Sequence, residues 1–121
     1  MKNIIVDLDG TITIDDKEKD YSEKEVNIPL REKLRDYKKR GFKIIIFSAR
    51  NMNTHKEDMK KITKLTLPII QKWLKDNNVP YDEIRLGKPW CGLEGFYIDD
   101  KTIRPDEFID KSYEEIVKII K

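Results

Sequence analysis

A chain of 121 residues has the size of one domain and can bury one core but not two. Charged residues make up 40% of it, yet the net charge is only +2. The signs interleave, as in Lys17-Glu18-Lys19-Asp20, which describes a solvated surface rather than a polyanion-binding stripe and argues against nucleic-acid binding. The single cysteine, Cys91, excludes an internal disulfide framework. No apolar run approaches a membrane span and the N-terminus offers no signal peptide, so one soluble cytoplasmic domain over residues 1–121 is expected.

Ile4, Ile5 and Val6 form a short apolar, β-branched run that suits a strand covered on both faces. Asp7 and Asp9 follow it, and side chains two apart on an extended chain point the same way. Gly10 lets the backbone turn and Thr11 adds a hydroxyl. Two like charges held so close are costly without a cation or a shared proton, and a divalent cation is the obvious remedy. Residues 12–28 are polar between Ile12, Ile14 and Val26, Ile28, so a hairpin-like flap and a solvated loop both fit. Pro29 suits the first turn of a helix with Leu30, Leu34 and Tyr37 on one face and Gly41 as its stop. Residues 42–47 read as a second strand, ending in Ser48-Ala49-Arg50.

After a polar segment, Ile62, Leu65, Ile69, Trp73 and Leu74 recur at near-helical spacing, with Pro68 expected to kink or divide the helix. Residues 84–86 make a short third strand and residues 96–98 a fourth, which ends in Asp99-Asp100. Ser112 and Glu115 form a capping box for a last helix bearing Ile116, Val117, Ile119 and Ile120. Strands separated by helices imply an α/β three-layer sandwich, with a mainly parallel sheet between helices. In such sheets, sites form beyond the carboxyl ends of the strands. Asp7 and Asp9, Ser48, Lys88 and the Asp99-Asp100 pair all fall there. Carboxylates, a lysine and a hydroxyl make a Mg²⁺-dependent phosphate site, because hard oxygen ligands suit Mg²⁺.

The set Asp7-Leu8-Asp9-Gly10-Thr11, Ser48, Lys88 and Asp99-Asp100, in that order, resembles the four motifs of the haloacid dehalogenase superfamily. The segments Ile46-Phe47-Ser48-Ala49-Arg50-Asn51-Met52, Gly87-Lys88-Pro89-Trp90-Cys91-Gly92 and Gly95-Phe96-Tyr97-Ile98-Asp99-Asp100-Lys101 resemble small phosphatases associated with capsule or surface-polysaccharide biosynthesis. The resemblance implies a Rossmann-like fold and a Mg²⁺-dependent phosphatase that works through an aspartyl-phosphate. In it Asp7 attacks phosphorus, dividing one hard displacement into two easier ones. Asp9 serves as general acid and base, and crowding by other carboxylates is the reason to expect its pKa to be raised. Ser48 donates to a phosphoryl oxygen and Lys88 neutralises charge. Mg²⁺ binds Asp7, the Asp9 carbonyl and an acid of the fourth motif, with Asp100 the favoured ligand and Asp99 holding a metal-bound water. Asp106 is a weaker third candidate, read as capping or turning the chain before Phe108.

Thr11, Arg50 and Asn51 are candidate substrate contacts, and Asn53 and His55 could join them at the entrance or form an ordinary polar loop. His55 alone is weak evidence for a metal. Trp90 is open between stacking on a sugar or base and packing in a core or interface. Cys91 reads as a small buried hydrophobe, Trp73 as core, and Arg104 as a surface arginine. The two intervals between the first three motifs are too short for a cap domain. The site is therefore expected to be capless behind the 12–28 flap. Such an open site would suit a large substrate, such as a phosphorylated glycan or a nucleotide-linked sugar, or a homo-oligomer interface that completes the cover; a sugar phosphate or other small phosphorylated molecule is the other substrate class expected. A phosphorelay receiver domain would place its acidic pair after the first strand and its phospho-acceptor after the third, an order this chain lacks. A non-catalytic binding or assembly module is the other alternative.

Overall fold

The computed structural model describes all residues, 1–121, in two compact units, Met1–Trp90 and Cys91–Lys121. In the first unit, β1 (Asn3–Val6), β2 (Lys43–Ser48) and β3 (Glu83–Leu86) form a parallel sheet in that order. Asn3 stands opposite Lys43 and Val6 opposite Ile46, while Ile45 faces Glu83 and Ser48 faces Leu86. Ile44, Ile45 and Ile46 are all buried, although neighbours on a strand point to opposite faces. The central strand is therefore covered on both sides, whereas β1, expected to be so covered, stands at the end of the sheet order and leaves Ile5 exposed.

Parallel strands need crossover connections, and helices supply them here. α1 (Ile28–Lys39) joins β1 to β2; α2 (Met59–Leu65) and α3 (Leu67–Asp76) join β2 to β3. Asn27 caps α1 by accepting from the Leu30 N–H, and Leu30, Leu34 and Tyr37 are buried as the spacing predicted. Pro68 falls at the start of α3 and the helical stretch is divided in two, one of the two outcomes expected of it. This break shifts the buried face: Ile70, Trp73 and Leu74 are buried, whereas Leu65 and Ile69 lie exposed. At the entry to β3, the Asp82 carboxylate accepts from the Ile44 N–H at 2.8 Å and from Lys38 Nζ at 2.6 Å. The Ile44 N–H, first, and Lys38 hold its carboxyl below the usual carboxylate range.

The segment between β1 and α1 is the flap, not a loose loop. Thr13 and Val26 form an antiparallel bridge, Ile14 N–H donates to the Glu25 carbonyl at 2.8 Å, and Tyr21–Glu23 makes a turn of 3₁₀ helix. Trp73 anchors the flap by donating its indole N–H to the Lys24 carbonyl at 2.8 Å. No separate cap domain stands in either interval between the first three motifs.

The second unit contains α4 (Pro105–Asp110) and α5 (Tyr113–Ile119), with Phe108 and Ile116 buried. Ser112 and Glu115 form the expected capping box at 3.2 and 3.0 Å. α4 is an addition that Pro105 in the first turn and the Glu107 carboxylate on the Arg104 N–H at 2.9 Å explain. Asp106 sits in that first turn. The expected fourth strand is absent: residues 96–98 belong to no strand, and Phe96 and Ile98 are exposed. An apolar triplet becomes a strand only where a neighbouring strand offers its ladder. No helix is long and apolar enough to cross a membrane.

Candidate active site

Asp7 leaves β1 in extended geometry, and Asp9 (φ −72°, ψ 125°) and Gly10 (φ 78°, ψ 5°) then take the dihedrals of the two central residues of a type II turn. The second of those positions needs a positive φ, which is why glycine stands there. The turn is held by its own neighbours. Gly10 N–H donates to Thr13 Oγ1 at 3.1 Å, Thr13 N–H to the Leu8 carbonyl at 3.0 Å, and Asn27 Nδ2 to the Thr11 carbonyl at 3.3 Å. Leu8, Ile12 and Thr13 are buried beneath it. Asp9 therefore belongs to a turn rather than an extended strand, and the two acids take different partners instead of sharing one face.

Asp7 lies between a hydroxyl and a cation. Thr11 Oγ1 donates to Asp7 Oδ2 at 3.1 Å, and Lys88 Nζ is 3.5 Å from Oδ1, an ion contact longer than a good hydrogen bond. Lys88 is positioned from its backbone, since its N–H donates to the Ser48 carbonyl at 3.1 Å just beyond the ends of β2 and β3. Gly87 (φ +84°) makes the bend that brings it there. Ser48 is buried, and its Oγ accepts from the Arg50 N–H at 3.0 Å. A hydroxyl that accepts one bond still has its proton to donate.

Asp9 is clamped by Arg50. Arg50 Nε donates to Oδ2 at 3.0 Å and Nη2 to Oδ1 at 2.7 Å, a bidentate pair that suits the ionised acid. The arginine side chain is fully buried and its guanidinium stacks 4.0 Å from the centroid of Tyr21 on the flap. Arg50 is thus a support beneath Asp9 rather than a free entrance residue, and its Nη1 is buried with no hydrogen-bond partner. Asn51, at φ +62°, accepts from Thr66 Oγ1 at 2.7 Å, which ties the turn after β2 to the junction of α2 and α3. Met52, Asn53, Lys56, Glu57 and Trp90 line a depression of about 270 Å³, with His55 in the same turn.

Asp99 and Asp100 are exposed in the second unit, where Asp99 Oδ1 accepts from the Lys101 N–H at 2.9 Å. Cys91, at the start of that unit, is half-buried. No three His, Cys, Asp or Glu side chains gather as a metal site within either unit. The structure thus gathers Asp7, Thr11 and Lys88 around one carboxylate and pairs Asp9 with Arg50, while Ser48 and Asn51 hold the turn beside them. Tyr21, Thr13 and Asn27 support this group without having been singled out from sequence. Thr13 and Asn27 flank the flap, which was the available signal; nothing local marks Tyr21 as the lid on Arg50.

Residues 1–88 match the family described as the polynucleotide kinase PNKP phosphatase domain. A crystal structure of a Vibrio cholerae protein is 49% identical, with a TM-score of 0.96 over 99% of this chain and 97% of that one. The structure of a Pnkp1/Rnl/Hen1 complex is 24% identical, with a TM-score of 0.52 over 70% of this chain and 27% of that one, and shares the fold alone. No curated protein matches significantly. With the match spanning most of its length, the chain belongs to the polynucleotide kinase PNKP phosphatase-domain family and is a phosphatase of the haloacid dehalogenase type.

Proposed function

We propose that the chain hydrolyses a phosphate monoester through an aspartyl-phosphate on Asp7, with Mg²⁺ as cofactor. The observation that carries this reading is the Asp7 carboxylate, held between the Thr11 hydroxyl and the Lys88 ammonium at the carboxyl edge of a parallel sheet. In the first step an Asp7 oxygen attacks phosphorus, the bond to the leaving oxygen breaks, and Asp9 supplies that oxygen with a proton. In the second, Asp9 takes a proton from water, which attacks phosphorus and releases phosphate and the free Asp7 carboxylate. Lys88 offsets charge on the phosphoryl group, and Ser48 donates to one of its oxygens. The bidentate Arg50 suits Asp9 as the base of the second step. Release of one of its two bonds frees the oxygen that carries the proton in the first.

The donor set fits Mg²⁺: the Asp7 carboxylate and the Asp9 backbone carbonyl are hard oxygens beside a phosphate-binding edge. Asp100 would complete the set directly and Asp99 through a water. Bound there, the ion would neutralise charge on the phosphoryl oxygens.

A capless site behind a small flap suits a sugar phosphate, a phosphorylated glycan or a nucleotide-linked sugar. A phosphorylated polynucleotide end is the second reading. The family match favours it, although the interleaved surface charge argues against a long polyanion. Trp90, beside Lys56 and Asn53, offers an aromatic face and a cation that either class could use. The test is a Mg²⁺-dependent screen of sugar phosphates, nucleotide sugars and end-phosphorylated oligonucleotides, with Asp7→Asn as the blank. Turnover of sugar phosphates supports the first reading and selective turnover of oligonucleotides the second. No turnover of any substrate, p-nitrophenyl phosphate included, returns the chain to a non-catalytic module.

A further inference from the structure

Beyond the ends of β2 and β3, two segments of the first unit border one depression. One is the turn over residues 51–58, which follows Arg50; the other is residues 87–90, which bring Lys88 to Asp7. The second closes on the start of α2 at Gly87, where a Cβ would stand 3.0 Å from both Sδ and Cε of Met59. Glycine permits that approach as well as the bend. Met52, Asn53, Lys56, Glu57 and Trp90, all of the first unit, line the depression, whose volume is about 270 Å³. Trp90 is two residues past Lys88, so about 7 Å at most separates their Cα atoms. Met52 is likewise two residues past the Arg50 that clamps Asp9. The depression therefore adjoins the two acids and the lysine.

Its lining is strained and chemically mixed. Lys56 and Glu57 stand at φ +50° and +62°, two successive left-handed residues with no glycine between or beside them. The β-carbon makes that conformation costly, and such strain gathers where side chains are aimed at a ligand. Trp90 is 44% exposed, and Asn53, Lys56 and Glu57 are exposed too. The bonds that order Asp7, Asp9 and Ser48 use none of these four side chains.

The indole face is a broad apolar surface on which a ring can stack. Ionised Glu57 only accepts hydrogen bonds, Lys56 only donates, and Asn53 does both. That set suits neighbouring hydroxyls, each of which donates and accepts. A second phosphate would meet Lys56 but also Glu57, whose like charge repels it. Clefts for drug-sized ligands span roughly 300–1,000 Å³, so a depression of about 270 Å³ holds one ring rather than a run of nucleotides.

We propose that this depression is the leaving-group subsite and that it takes a single sugar ring, stacked on Trp90 and hydrogen-bonded through its hydroxyls by Asn53, Lys56 and Glu57. Resting on the phosphatase reading above, this narrows the substrate to a phosphorylated monosaccharide or the phosphorylated end of a glycan.

Binding is read on the full chain carrying Asp7→Asn and labelled with ¹⁵N. A panel of hexose 1-phosphates and 6-phosphates, inorganic phosphate, or an end-phosphorylated oligonucleotide is added with Mg²⁺. The chain has two tryptophans, Trp73 and Trp90, so its spectrum holds two indole N–H signals, which Trp73→Phe assigns. At least one hexose phosphate is expected to shift the Trp90 indole and the Asn53 side-chain amide, and inorganic phosphate is expected to leave both in place. Shifts that inorganic phosphate reproduces, tighter binding of the oligonucleotide at these groups, or no shift with any hexose phosphate overturns the proposal whether or not the chain is active.

Turnover reads the subsite a second way. For the hexose phosphate hydrolysed best, kcat/KM is divided by that for acetyl phosphate, which has no ring. Losing the stacking surface in Trp90→Ala is expected to lower this ratio about tenfold, and Glu57→Gln about threefold, chiefly through KM. A ratio within about twofold of wild type in Trp90→Ala overturns the subsite, and Glu57→Gln decides where that variant does not fold. An inactive wild type refutes the phosphatase reading instead, and the shifts then decide the subsite alone.

Discussion

Replacing Arg50 by alanine removes a fully buried guanidinium whose two bonds to Asp9 measure 3.0 and 2.7 Å. Removing one partner of a fully buried ion pair costs about 3–5 kcal/mol. Asp9 is 33% exposed, so water takes over part of its solvation and brings the loss down to about 2 kcal/mol. The stacking on Tyr21 at 4.0 Å adds about 1 kcal/mol. Against this, the substitution relieves the unpartnered Nη1, worth about 1 kcal/mol. The net is about 2 kcal/mol, or a fall in Tm of roughly 6–10 °C for a domain of this size.

Urea and thermal unfolding of wild type, Arg50→Ala, Asp9→Asn and the double variant give the cycle, with a coupling energy of about 1.5 kcal/mol expected between the two sites. Arg50→Lys keeps the charge but not the planar fork, so it should recover less than half of the loss. A change below about 0.5 kcal/mol in Arg50→Ala, or a coupling near zero, would mean an ordinary surface pair and refute the clamp.

Trp73→Phe keeps most of the buried ring but leaves the Lys24 carbonyl without the indole N–H, so a loss of about 1 kcal/mol is expected. Hydrogen exchange in residues 14–25 should speed up in that variant, and unchanged flap exchange would refute the anchor. Asp82 has a depressed folded pKa, so its stabilisation is complete above the unfolded aspartate value and is lost as pH falls through the folded one. Asp82→Asn should therefore be less stable than wild type near pH 7, with the gap closing below about pH 4. A gap that stays constant through that range refutes the assignment.

What the sequence revealed was local. Pro29 and Gly41 bound α1 through contacts within a turn of themselves, and the apolar run of residues 42–47 marks β2, whereas Ile4-Ile5-Val6 reads as a strand covered on both faces although Ile5 is exposed. Pro68 marked the break between α2 and α3, but which side of α3 is buried depends on how α2 ends, and the stripe shifted from Ile69 to Ile70. The missing fourth strand is the clearest nonlocal case. Residues 96–98 have strand composition, but a strand needs a ladder from a neighbouring strand, which composition does not show. In the site, Asp7, Thr11 and Lys88 were legible because their residue types and order carry chemistry. Arg50 was read as an entrance residue because its partner Asp9 is 41 residues away and its stacking partner, Tyr21, sits on the flap.

In the proposed reaction Asp7 carries the phosphoryl group. Rapid quenching of the enzyme during turnover of p-nitrophenyl phosphate with Mg²⁺, followed by borohydride reduction and peptide mass spectrometry, reads this directly. An acyl phosphate on Asp7 is reduced to the alcohol, so the peptide containing residues 3–11 should carry homoserine at position 7, and Asp7→Asn should show neither the product nor turnover. Reduction at another carboxylate, or turnover that survives in Asp7→Asn, would rule out Asp7 as the nucleophile.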